Sequence, residues 1–467
     1  MRDLILIMIV LGSLPVILMR PWVGIMMWNW LGFMNPHRFT WGFAFDFPFS
    51  ALVALATLAG LVFTRDRRML VNSGVLWVWL IWIVWMNVTT LFALIPGDAV
   101  PQWDKVMKIQ FFALLAMVLV YKPEHIKTLV WVITGSLAFY GIKGGFFAIE
   151  TAAGERVYGP RGSFFEDNNA MGLVLVMTVP LLRWVQLQIQ EKWARLAVLG
   201  AILLTLLAAF ATFSRGALLA AVGVLGMLAL RGRQRIALGA AMVLVVPFLI
   251  MAMPDKWMAR MMTIEDYQSD GSAMGRINAW WFAFNLAKDH FFGGGFETFD
   301  PQLFMQYAPN PTQFHDAHSI YFEVLGEHGF VGLVLFLALG ALTLLTAQSV
   351  TRKIQNAPAD KAKELHWCFD LASMIQVSLI GYAIGGAFLG LAYFDLLYAL
   401  IGLLLIVKRY VDETLAAPST VTEPGAERST DNHDVIPETV LASTADGRPN
   451  PYAMLGHQAG AEMRSER

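Results

Sequence analysis

Cysteine is almost absent from this chain: Cys368 stands alone among 467 residues. One thiol excludes an intrachain disulfide, a cysteine-built zinc cage and a dithiol redox pair, and a lone thiol of this kind simply packs. Charge is the second scarcity. Asp, Glu, Lys and Arg make up 15% of the residues and nearly cancel, for a formal net charge of -1. Without a basic surface there is nothing to hold a phosphate backbone, so nucleic acid is excluded as a partner. Two further signals are missing. The apolar runs lack the period-two alternation of a barrel strand, and no small-residue cleavage site follows the opening run Leu4 to Leu18. Since Arg20-Pro21 leads straight into more apolar sequence, that run is expected to be a retained anchor.

What fills the chain instead is hydrocarbon: 57% of residues are hydrophobic and the mean hydropathy is +0.55. No soluble domain could hide that much apolar surface, so lipid is the expected solvent. Runs able to cross about 30 Å of hydrocarbon as helix fall near residues 4–19, 47–63, 70–90, 107–121, 126–149, 169–187, 194–212, 215–230, 235–253, 319–346, 370–389 and 391–407, with a weaker one at 22–35. The predicted fold is all-α, a polytopic transmembrane helical bundle of about twelve or thirteen spans with a partly helical extracytoplasmic loop subdomain. Trp77, Trp79, Trp82 and Trp85 are expected to be interface and packing aromatics, with no chemistry.

Basic residues set the orientation, because short cytoplasmic loops are enriched in Lys and Arg. Arg65-Asp66-Arg67-Arg68, Lys122 with Lys127, Lys192 with Arg195, Arg231 with Arg233 and Arg235, and Arg352, Lys353, Lys361 and Lys363 fall on alternate connections. By parity the segments 150–168, 213–216 and 254–318 and the turn at Tyr393-Phe394-Asp395 lie on the outer side. The domains expected are an N-terminal transmembrane region at 1–190, a second at 191–410 that includes the loop 254–318, and a disordered cytoplasmic tail at 411–467, rich in Thr, Pro, Glu, Ala, Ser and Asp.

The outer segments carry the chemistry. Arg161, Arg215 and Arg276 are the residue type a diphosphate leaving group needs, since a guanidinium stays charged and binds phosphate oxygens in pairs. His318 closes the long loop, and an imidazole with an ordinary pKa near 6.5 suits a general base. A metal site built from His315, Asp316 and His318 is the alternative for that histidine. Glu323 and Glu327 lie four apart on the following helix, either as a polar stripe entering the membrane or as wet first turns. A transporter or flippase is the rival of a different class, with Lys143 as its best residue, but it calls for sites near the bilayer midplane and these motifs gather at one surface.

His318-Ser319, nine residues, then Gly329-Phe330-Val331-Gly332 resembles the His-[Asn/Ser/Gln]-x9-Gly-x-x-[Gly/Thr/Tyr] signature of bacterial O-antigen ligases. Arg161-Gly162-Ser163-Phe164-Phe165-Glu166-Asp167-Asn168-Asn169 resembles a loop of the wider ligase and polymerase superfamily, without the proline that many relatives place before the asparagine; Ser214-Arg215-Gly216 resembles its Ser-Arg-Gly turn. Pro21-Trp22, Asn35-Pro36-His37-Arg38 and the aromatic first half resemble the O-glycosylation ligases associated with the exosortase A system. The resemblance implies a transferase on the periplasmic face of the bacterial inner membrane, taking its glycan from an undecaprenyl-diphosphate carrier. It implies inverting transfer with neither metal nor cofactor, to an acceptor hydroxyl on protein; lipid A core or a growing polymer is the alternative acceptor. Catalysis falls to His318, Arg215 and Arg276, and substrate binding to Arg161, Arg156, Asn168, Asn169, Ser214, Ser319 and Glu323.

Overall fold

The computed structural model describes residues 1–231, 254–262 and 271–418. By contacts the chain divides into two units, Met1–Ala417 and Pro418–Arg467. Beyond Pro418 the second lies outside the described residues, as do the expected span at 235–253 and residues 263–270 of the long loop.

Every regular element among the described residues is helical. The helices are α1 Arg2–Met19, α2 Pro21–Met34, α3 Phe49–Phe63, α4 Gly74–Leu91, α5 Pro96–Leu119, α6 Pro123–Glu150, α7 Asn168–Gln188, α8 Lys192–Phe210 and α9 Arg215–Arg231. In the long loop stand α10 Asp255–Met262, α11 Gly271–Asp289 and α12 Pro301–Tyr307; then follow α13 Ile320–Gln355, α14 Ala359–Glu364, α15 His366–Gly386 and α16 Asp395–Ala416. Residues 411–416, expected in the tail, are thus the last turns of α16. The starts follow from local chemistry. Pro21, Pro96 and Pro123 occupy first helical positions, where the missing N–H costs nothing. Ser73 caps α4 by accepting from the Leu76 amide.

Seven described helices are long and apolar enough to cross a membrane: α1, α4, α6, α7, α8, α13 and α15. The expected count was higher because a run of apolar letters does not give helix length. Helices α2 and α3 have 14 and 15 residues, or just over 20 Å at about 1.5 Å per residue. Helix α5 carries Asp98, Asp104, Lys105 and Lys108 within its first thirteen residues, and the last turns of α16 carry Lys408, Arg409, Asp412 and Glu413.

Contacts sort the loops into two ends. At one end Lys122 pairs with Asp66 (3.0 Å), Arg409 donates to the Met69 and Val120 carbonyls, Lys353 pairs with Asp412 (2.6 Å), and Trp184 donates to the Trp367 carbonyl. These are the loops that carry the basic residues. At the other, the Leu94 amide donates to Gly294 O, Val157 N to Ala211 O, Asn168 Nδ2 to Thr212 O, and the Ala392 amide to Glu323 Oε2. Asp3, at the start of α1, accepts from the Gly42 and Ala44 amides, and Arg38 packs on Gly162. The chain therefore starts at this second end, the one expected from the basic residues to be the outer end and named for that expectation.

One break matters for the site. Helix α13 is interrupted at Gly329, with φ 67° and ψ -172°. A broken helix leaves carbonyls without amides, and buried carbonyls must find donors. Gly294 N donates to Gly326 O (2.8 Å), Gly295 N to Glu327 O (2.9 Å) and Trp85 Nε1 to His328 O (2.9 Å). A Cβ on Gly293 would lie 2.6 Å from the Glu327 carbonyl carbon, and one on Gly329 would lie 2.5 Å from Phe291 O. Only glycines let the two backbones meet. Trp82 is fully buried beside this joint, against His328, and Trp79 is fully buried against Gln110 and Tyr398.

Candidate active site

The outer end is assembled from the turns between helices. Asp167 starts α7 by accepting from the Asn169 and Ala170 amides. The side chain of Asn168, expected to bind substrate, is buried and donates to Thr212 O (2.7 Å). That bond ties the Phe213-Ser214-Arg215 turn to the start of α7. Ser214 is also buried and accepts from the Ala217 amide (3.2 Å), so it serves as the cap of α9. Both polar groups are engaged in holding the turn. Arg215 is half-buried at the first position of α9, and Arg156 lies over the Phe213 ring at 5.8 Å. Arg161 is exposed further along the same loop, beside Gly162, whose amide donates to Glu166 Oε2 (2.7 Å). Asn169 is half-buried, its amide held by Asp167.

Helix α11 builds the opposite wall. Its Gly275 packs against the His315 ring, Asn278 Nδ2 donates to the Asn310 and Gln313 carbonyls, and Trp280 Nε1 donates to Ala317 O (2.9 Å). Trp280 also stacks on Phe322 at 4.9 Å. Clamped in this way, the loop enters α13 with His318 at φ 40°, a left-handed conformation that a side chain tolerates only when its surroundings fix it. Phe213 and Glu297 share that feature, with φ of 60° and 55°.

His318 is the focus of charge. Burial, Arg276 and His315 push its pKa below the ordinary 6.5, while Asp316 and Asp167 pull it up. The groups that act on it come from α11, from the loop before α13 and from the start of α7. His315 and His318 meet edge to face at 5.8 Å. Among the described residues no group of three or more His, Cys, Asp or Glu side chains is placed to hold a metal ion. Ser319 is buried, and its Oγ makes no hydrogen bond among the described residues.

Behind His318 runs a row of carboxylates. A point next to Gly390 lies 3.6 Å from both Asp316 Oδ2 and Glu323 Oε2. Glu327, 4% exposed, accepts from the Glu297 amide (2.7 Å) and from the Tyr393 hydroxyl. Glu327 is buried and Glu323 half-buried, so they are more than wet first turns: the 390–394 turn and the loop after the glycine triplet fold this polar stripe into the protein. Burial and Asp316 raise the pKa of Glu297, against the pull of Lys105. Sequence reasoning missed Asp167, Glu297 and Tyr393. Asp167 stands within the Arg161–Asn169 stretch and Tyr393 in the outer turn, but neither position carries a role until the fold sets Asp167 near His318, and Tyr393 and Glu297 against Glu327. Lys143 lies over Phe39 at 5.4 Å, exposed towards the outer end of α6.

No curated protein matches the chain. Residues 1–190 match the model of a family of unknown function (DUF5935), and residues 200–337 match the model of the family described as O-Antigen ligase. The second stretch contains Arg215, Arg276, His318 and Gly329. The match over residues 200–337 makes this part of the multi-pass helical chain similar to the O-antigen ligase family and supports a relationship to ligase- and polymerase-type membrane glycosyltransferases.

Proposed function

We propose that the protein moves a glycan from an undecaprenyl-diphosphate carrier to an acceptor hydroxyl on the periplasmic face of the bacterial inner membrane, in protein O-glycosylation of the exosortase-associated type. The acceptor oxygen attacks C1 of the reducing-end sugar. The bond from C1 to the diphosphate oxygen breaks with its electron pair, and the anomeric centre inverts. Arg215 and Arg276 hold the diphosphate and offset the charge it gains, a preorganised electrostatic role that needs no metal. His318 takes the hydroxyl proton and later releases it to water. Arg156 and Arg161 extend the positive rim towards the glycan, Asn169, Ser319 and Glu323 offer polar contacts to it, and Asn168 and Ser214 position the Arg215 turn.

The observation that supports this reading is the gathering of Arg276, His315, Asp316 and Asp167 around His318, with the Arg215 turn tied to the same helix start. Such a site has positive charge for a leaving group beside a base that is neutral at physiological pH. The test is transfer by the purified protein from a lipid-diphosphate glycan in liposomes. His318→Ala is expected to slow transfer about 10²–10⁴-fold, the usual share of general-base catalysis, with unchanged expression and melting, and a chelator is expected to leave the rate unaltered. A fully active His318→Ala protein would overturn the base assignment. Mass spectrometry of extracytoplasmic proteins from a deletion strain reads the acceptor: loss of the glycan from protein fits the proposal, and loss from lipid A core or a shortened polymer replaces it.

A further inference from the structure

The first 190 residues, which match a family of unknown function, contain a cleft apart from the residues proposed for transfer. Helices α3 and α5 both pack on α2, and between them opens a space of about 780 Å³. Trp28 forms its back, Ala54, Leu55 and Leu58 one wall, Met107 and Phe111 the other. Leu55 and Phe111 are 65% and 47% exposed on its flanks, so it opens sideways, where lipid lies. A space of this kind cannot stay empty, because its apolar lining would forfeit dispersion contacts that a hydrocarbon chain supplies.

Its outer rim is polar and of mixed sign. Arg38 and Lys108 stand beside Asp46 and Asp104. His37, held to a pKa of about 4 by burial and by Arg38, adds no charge at neutral pH. Arg38 and Asp46 are only 4.0 Å apart, the Asp46 side chain is 89% exposed, and Arg38 Nε is buried without a hydrogen-bond acceptor. Lys108 and Asp104 are closer, at 2.5 Å, but the side chains of both are more than half exposed. Exposed pairs of this kind contribute little and exchange partners readily. The rim thus offers two guanidinium or ammonium groups to a phosphate and two carboxylates to a nearby cation. Past Lys108 a smaller cavity of about 270 Å³ continues to Lys105, Phe164 and Asp395, where Lys105 Nζ lies 3.5 Å above the Phe164 ring.

We infer that this cleft holds one zwitterionic aminophospholipid of the outer leaflet, its acyl chain between α3 and α5, its phosphate at Arg38 and Lys108, and its ammonium at Asp46 and Asp104. An anionic head would leave both carboxylates facing negative charge, and a quaternary ammonium could not donate hydrogen bonds to them. The experiment is native mass spectrometry of the full-length protein equilibrated in micelles with equimolar dioleoyl phosphatidylethanolamine, phosphatidylcholine and phosphatidylglycerol. The ethanolamine lipid is expected to be retained about fivefold over either of the others, the scale of one exposed ion pair. Asp46→Asn combined with Asp104→Asn is expected to hand the preference to phosphatidylglycerol, and Leu55→Trp to lower retention of all three, with Ala54→Leu as a milder second filling and melting curves to verify the fold. Equal retention of the ethanolamine and choline lipids, a wild-type preference for phosphatidylglycerol, or full retention in both filled variants would overturn the assignment.

Discussion

His318 is where single side chains decide behaviour. Its pKa lies below 6.5 because burial, Arg276 and His315 all oppose its protonation. A general base must be neutral, so transfer is expected to be fully active at pH 7 and to fall as acid protonates the ring, with a midpoint below 6.5. The neighbours set that midpoint with opposite signs. Arg276→Gln removes a positive charge that disfavours the imidazolium, so the acid limb of the residual activity should move to higher pH. Asp316→Asn removes a negative charge that favours it, and the limb should move lower. Rate against pH for the two variants checks both signs; shifts in the same direction would show that another group titrates. The histidine itself was legible from its spacing to Gly329. Asp167 was not, because its influence comes from the start of a helix about 150 residues away in sequence.

At the scale of elements, the broken helix α13 explains why the loop is rich in glycine. The sequence shows Gly293-Gly294-Gly295 and Gly329 as separate features, the second as part of a motif. In the fold they are one joint, in which the amides of Gly294 and Gly295 complete the carbonyls freed at Gly329. Ala at Gly329 must hold a conformation open essentially to glycine alone and would meet Phe291 O at 2.5 Å. A cost of about 1–3 kcal/mol is expected for the backbone alone, with a similar loss for Gly293→Ala. Gly340 is the control on the same helix: nothing lies within 4 Å of its Cβ position, and Ala there should be neutral or stabilising by about 0.5–1 kcal/mol. Glu327 belongs to the same joint. Glu327→Ala strands the Glu297 amide and the Tyr393 hydroxyl, whereas Gln still offers an oxygen to the amide. Thermal unfolding in detergent should therefore rank Ala below Gln, by about 1–3 kcal/mol for each stranded group.

Across the whole molecule, the alternation of basic loops was readable in the sequence because it depends on composition alone. The described loops of that set meet at one end of the fold, through the Asp66–Lys122 and Lys353–Asp412 pairs. Helix lengths were less readable: α2 and α3 fall short of a full span although their letters are apolar. The two ends are chemically unlike, and the proposal needs the end with His318 to face away from the cytosol. The scarcity of cysteine makes this testable without reporter domains. Cys368 is buried, so Cys368→Ala gives a background free of thiols, into which Glu155→Cys and Lys192→Cys can be placed singly. Both positions are exposed, the first on the loop that carries Arg156 and Arg161, the second at the start of α8. In cells with a permeabilised outer membrane, a maleimide that cannot cross the inner membrane is expected to label the first and to reach the second only after lysis. The reverse pattern would turn the arginines and His318 towards the cytosol, out of reach of any acceptor on an extracytoplasmic protein.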